Sequence, residues 1–84
     1  MNNIIIFGAT GAIGQNIARQ LHQEGAGLVL AGRTEAETAD LARELGADYA
    51  LFDAHDEASI QAVISKAAAR GPITGLIWAV GSIL

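Results

Sequence analysis

An unbroken apolar run, Asn3 to Phe7 (NIIIF), runs directly into a glycine-spaced segment, Gly8-Ala9-Thr10-Gly11-Ala12-Ile13-Gly14. That join constrains the fold more than any other feature of the chain. A short apolar run without alternation suits a strand covered on both faces, as in a parallel sheet. Residues 12 to 24 (AIGQNIARQLHQE) then place Ile13, Ile17 and Leu21 at i, i+4 and i+8, which is one apolar stripe of a helix. A strand that passes through glycines into a helix can turn tightly and leave the helix N-terminus open.

The same alternation continues along the chain. Gly25 stops the first helix, Leu28 to Ala31 reads as a second strand, and Gly32 closes it. Thr34-Glu35-Ala36-Glu37 has the form of a capping box, with Thr34 at the N-cap and Glu37 reaching back to its amide. The helix it opens runs to Leu45, with Thr38, Leu41, Ala42 and Leu45 inward and Gly46 as a left-handed terminator. Tyr49 to Phe52 is a third strand. Asp56 caps a third helix that carries Ile60, Val63, Ile64 and Ala67 and ends near Arg70-Gly71-Pro72; Leu76 to Val80 is a fourth strand. The order β-α-β-α-β-α-β implies right-handed crossovers and a parallel sheet. We expect one α/β unit over residues 1–84, a Rossmann-like sheet in the order 3-2-1-4 that stops after strand four. Helices one and two lie on one face and helix three on the other. Strand four is then an open edge with a partly covered face, which predicts a homo-oligomer formed through that edge or face.

The glycine segment carries chemistry as well as a turn. A helix N-terminus offers unpaired N–H groups and the positive end of the helix dipole, a favourable seat for a pyrophosphate. Gly8 permits the turn, Gly11 removes a side chain that would block the phosphates, and Gly14 lets the helix approach closely. Thr10 can add a hydroxyl. Placed between strand and amphipathic helix, the motif indicates dinucleotide binding. The second strand ends in Ala31-Gly32-Arg33, where NAD-preferring enzymes commonly carry an acid. A guanidinium binds a 2′-phosphate that a carboxylate would repel, so Arg33, helped by Thr34, predicts NADP(H) over NAD(H). Gly32 is expected to leave room for that phosphate.

Composition removes other classes. The chain has 84 residues and no cysteine, so disulfide frameworks and thiolate chemistry are excluded. A hydrophobic share of 51% with 17% charged residues does not fit disorder, and a net charge of −4 does not fit a basic nucleic-acid-binding face. No Lys or Arg precedes the first apolar run and no stretch reaches the roughly 20 residues of a membrane span, so a cytoplasmic protein is expected. His55, between Asp53 and Asp56, has no second ligand cluster with which to hold a metal. Neither a G-x-S-x-G nucleophile elbow nor the G-K-[ST] ending of an NTPase loop is present.

With Gly8 to Gly14, Ala31-Gly32-Arg33, Asp53 and Ala79-Val80-Gly81 in order, the chain resembles the short-chain dehydrogenase/reductase family along essentially its whole length. The resemblance implies that Asp53, with Ala54, contacts the adenine, and that Ala79 and Gly81 lie beside the riboses, with Ile13 also at the cofactor. Phe7 stands where a threonine often precedes the first glycine, and Trp78 and Ala79 replace two asparagines. The glycine spacing is closer to the extended or atypical branches, and Trp78 is expected to pack rather than to stack on a base. The family's Tyr-x-x-x-Lys pair is missing: Tyr49, the only tyrosine, has Asp53 four residues on, Lys66 is the only lysine, and Ser82 follows strand four too closely. The resemblance therefore implies the NADP(H)-binding N-terminal portion of an oxidoreductase, inactive by itself. The alternatives are a stand-alone dinucleotide-binding or sensor module, or a half-fold with too little pocket to hold a cofactor.

Overall fold

The computed structural model describes residues 2–80 and contains the expected alternation. The elements are β1 (Ile4–Phe7), α1 (Ala12–Gln23), β2 (Leu28–Gly32), α2 (Glu35–Leu45), β3 (Asp48–Leu51), α3 (Glu57–Arg70) and β4 (Gly75–Trp78). All strand pairs are parallel and the order is β3-β2-β1-β4. The central β1 pairs on both sides, Ile4 with Leu28 and Gly75, Phe7 with Ala31 and Trp78. β4 ends at Trp78, two residues earlier than expected. One more bond, from the Ala79 amide to the Phe7 carbonyl (2.8 Å), follows before β1 turns away at Gly8.

Alternation along the strands divides the core as predicted. Ile6, Leu28 and Leu30 pack with Ala18 of α1 and Leu41, Ala42 and Leu45 of α2. Ile5, Phe7, Val29 and Ala31 face Val63 and Ala67 of α3 on the other side, with Phe52. The α3 face thins out over β4, where Leu76 and Trp78 are 51% and 50% exposed. Among the described residues, no helix is long and apolar enough to cross a membrane.

Three local expectations are corrected. The stripe of α1 was expected to begin at Ile13, but Ile13 is 69% exposed while Gly14 and Ala18 are buried. A Cβ on Gly14 would stand 2.0 Å from the Gly8 carbonyl oxygen, so the helix makes its closest approach there and Ile13 is rotated outward. Thr34 occupies the N-cap of α2, yet its side chain makes no capping bond. Instead, the Thr38 hydroxyl donates to the Thr34 carbonyl at 2.7 Å. Thr38 is fully buried and fills the notch above Gly32, where an added Cβ would meet its Oγ1 at 2.2 Å. The space at Gly32 is thus taken by Thr38 rather than left for a phosphate. The caps at Gly46 (φ 62°) and Asp56, whose carboxylate accepts from the Ala58 amide at 3.0 Å, are as expected.

Sequence reasoning assigned Asn3 only to a strand. Its buried side chain donates to the carbonyls of Ala67 (2.8 Å) and Gly71 (3.0 Å), closing the end of α3. Its backbone exchanges bonds with Thr74, the amide donating to Oγ1 at 2.8 Å and the carbonyl accepting from the Thr74 amide at 2.9 Å. Across the other face, Arg19 of α1 donates in a fork to Glu44 of α2 at 2.9 and 3.0 Å. The hydrogen bond from Arg19 holds the Glu44 carboxyl below the usual glutamate range.

Two outcomes follow from these contacts. Gly14→Ala should gain up to about 1 kcal/mol of helix propensity, yet lose roughly 1–3 kcal/mol to overpacking against the Gly8 carbonyl. A urea melt should therefore show a net destabilisation. For the ion pair, a folded-state pKa below the unfolded one contributes stability above the unfolded value and loses it as pH falls through the folded value. The melting-temperature gap between the native chain and Glu44→Gln should be small at neutral pH, because the pair is exposed, and should close in acid, which a pH series of thermal melts will read.

Candidate functional site

The crossovers place a cleft of about 730 Å³ at the carboxyl ends of the strands. It opens where β1 sends its connection to one side and the chain later returns on the other side as β4, the switch point at which open α/β sheets bind ligands. Gly8, with φ +83°, makes the turn out of β1. A Cβ there would lie 2.9 Å from the Ala79 carbonyl group and the Val80 amide nitrogen, so β4 can close against the turn only if this residue is glycine. Gly11 is exposed, and a Cβ on it would meet only the Gly8 oxygen at 3.5 Å, so the mouth of α1 is unobstructed. Among the described residues, the first-turn amides of Ala12, Ile13 and Gly14 donate to no other backbone group.

The cleft brings together most of the residues singled out from sequence. Gly8, Thr10, Gly11, Ile13, Arg33, Asp53, Ala54 and Ala79 line it. Gly14 lies beneath the wall, packed on Gly8, and Thr34 stands outside it. Gly81 falls outside the described residues. Arg33 is exposed on the wall and, among the described residues, makes no ion pair or side-chain hydrogen bond. Asp53 is held in a turn, with Oδ1 accepting from the His55 amide at 2.9 Å and its own amide donating to Ser59 Oγ at 2.9 Å.

Sequence reasoning did not assign Glu37, Phe52 or His55 to this wall, although all three line it. The signal was available for the last two, since they flank Asp53 at the carboxyl end of β3, where such clefts form. Trp78 packs as expected, its ring centroid 5.2 Å from that of Phe7 and 5.9 Å from that of Phe52, and it also lines the cleft. Tyr49 and Lys66 are off the wall. They meet at β3, where the Lys66 ammonium donates to the Tyr49 carbonyl and lies 5.7 Å from the ring centroid, while the Tyr49 hydroxyl donates to Glu35. The Glu35 hydrogen bond raises the Tyr49 pKa.

The cleft thus combines an open helix mouth, a glycine turn and a guanidinium that has no partner among the described residues. Known proteins agree with this architecture. Residues 2–83 match the family described as short chain dehydrogenase. Sulfoacetaldehyde reductase 2 of Chromohalobacter salexigens is 36% identical over 67 residues, which cover 75% of this chain and 27% of that protein. A short-chain oxidoreductase from Thermus thermophilus superimposes with a TM-score of 0.84 at 40% identity, covering 95% of this chain and 37% of its own. An actinorhodin polyketide ketoreductase solved with NADPH gives 0.86 at 28% identity, covering 96% of this chain and 34% of its own. The chain thus spans between about a quarter and two-fifths of the length of these proteins. On the match over residues 2–83, the chain belongs to the short chain dehydrogenase family.

Proposed function

We propose that this chain is the NADP(H)-binding portion of a short-chain oxidoreductase. The observation that carries the reading is Arg33, a guanidinium without a partner among the described residues, on the same wall as the open N-terminus of α1. The amides at the mouth of α1 and the hydroxyl of Thr10 receive the pyrophosphate, with Gly8 and Gly11 keeping the approach clear and Gly14 supporting the turn from below. Arg33, with Thr34 beside it, binds the 2′-phosphate. Asp53 and Ala54 border the adenine, Ile13 covers the dinucleotide from the helix side, and Ala79 borders the riboses; Gly81, outside the described residues, is assigned to the riboses by the family resemblance alone. When bound, the nicotinamide ring exchanges a hydride with a second substrate.

The residues named here hold the nucleotide's phosphates, adenine and riboses. Tyr49 and Lys66, the only tyrosine and lysine, face each other at β3 instead of the cleft. On this reading the chain supplies the nucleotide site, and neither Tyr49 nor Lys66 serves as a proton donor to it. A stand-alone sensor module would use the same pocket. Self-association through β4 is part of this reading, supported by Leu76 and Trp78, each about half exposed at 51% and 50% on the thinly covered face.

Calorimetric titration with NADP⁺ and NAD⁺ tests the binding. NADP⁺ should bind more tightly, and Arg33→Ala should weaken NADP⁺ by roughly ten- to a hundredfold while leaving NAD⁺ little changed. Equal affinities, or no binding of either nucleotide, would overturn the reading. Sedimentation at rising concentration should show a species heavier than the monomer; a monodisperse monomer throughout would refute the association.

A further inference from the structure

A second, smaller groove of about 360 Å³ runs between α1 and α2 and shares Thr10 and Glu37 with the cleft. A continuous line of hydrogen bonds crosses it. Glu44 accepts the fork of Arg19 at 2.9 and 3.0 Å. Arg19 Nη1 donates to Gln15 Oε1 at 2.7 Å, and Gln15 Nε2 donates to the carbonyl of Thr10 at 3.0 Å. Thr10 sits in the glycine turn, between the two glycines that shape it.

The line has a polarity. Arg19 has no acceptor, so Gln15 must present its oxygen to the guanidinium and its amide nitrogen to Thr10. The Thr10 carbonyl needs a donor, and this orientation supplies one. Arg19 and Glu44 side chains are 41% and 50% exposed, and such a pair stabilises a fold little by itself. Its effect is geometric: it fixes which way the Gln15 amide faces. None of Gln15, Arg19 and Glu44 lines the cleft.

We propose that Gln15, Arg19 and Glu44 are positioning residues, a relay that holds the glycine turn by the Thr10 carbonyl and thereby sets its readiness to receive a pyrophosphate. The effect on nucleotide affinity rests on the dinucleotide reading above; the effect on the turn does not.

The test therefore measures both. Amide exchange in the ligand-free chain reads the turn, through the Gly11 amide bonded to Gly8 and the Gln15 amide bonded to Gly11. Gln15→Ala should speed exchange at these amides by roughly three- to tenfold, leave α3 unchanged, and weaken NADP⁺ by a similar factor. The reversed pair Arg19→Glu with Glu44→Arg separates a relay from a simple clasp between helices. It keeps an ion pair, and so should keep the melting temperature. It presents Gln15 with an acceptor, which turns the amide oxygen toward Thr10, so it should loosen the turn as much as Gln15→Ala does. Unchanged exchange in Gln15→Ala, or a fully protected turn in the reversed pair, would overturn the relay. Faster exchange in a chain whose native form binds neither nucleotide would uphold the relay and reject the dinucleotide reading.

Discussion

The contact between Gly14 and the carbonyl of Gly8 governs the arrangement of the glycine turn. Only a residue without a Cβ brings α1 this close to the turn that leaves β1. That approach fixes the rotation of the helix about its axis. Gly14 and Ala18 consequently face the sheet, and Ile13 faces the cleft. It also leaves the first-turn amides pointing away from any backbone partner, available to an anion, while Gly11 leaves the space in front of them open. Packing and binding geometry are therefore one constraint.

The second strand end obeys a related economy. Thr38 fills the space above Gly32 and bonds back to Thr34, so the turn that carries Arg33 is braced from the helix side. Arg33 itself engages no partner among the described residues. A braced backbone with a free guanidinium suits capture of a phosphate, because little ordering remains to be done by the ligand. At the third strand end, Asp53 is fastened by the His55 amide and by Ser59. The ends of β2 and β3 are thus both braced by local hydrogen bonds, which engage the Asp53 side chain itself in the second case.

The features legible in the sequence were those governed by neighbours along the chain. Strand–helix alternation, the turn at Gly8, the left-handed stop at Gly46 and the Asp56 cap each follow from a few consecutive residues. The strand order was legible too, because right-handed crossovers allow few topologies. The misjudged features depend on partners remote in sequence or hidden by sterics. Ile13 looked inward because periodicity cannot register that a glycine carbonyl lies under Gly14. Thr34 looked like a side-chain cap because the role of Thr38 becomes visible only when Gly32 is brought beneath it. Phe52 and His55 carry no motif of their own, and their place on the wall follows only from the carboxyl end of β3 being set beside β1 and β4.

Asn3 joins the start of the chain to Ala67, Gly71 and Thr74. Because β1 is also the central strand, its backbone lacks a full set of partners until β4 is present. During synthesis, then, the most apolar strand emerges first and is completed last. The face carrying Ile5 and Phe7 stays uncovered until α3 is made, and one edge of β1 stays unpaired until β4 is made, a long-range closure of the kind that slows folding.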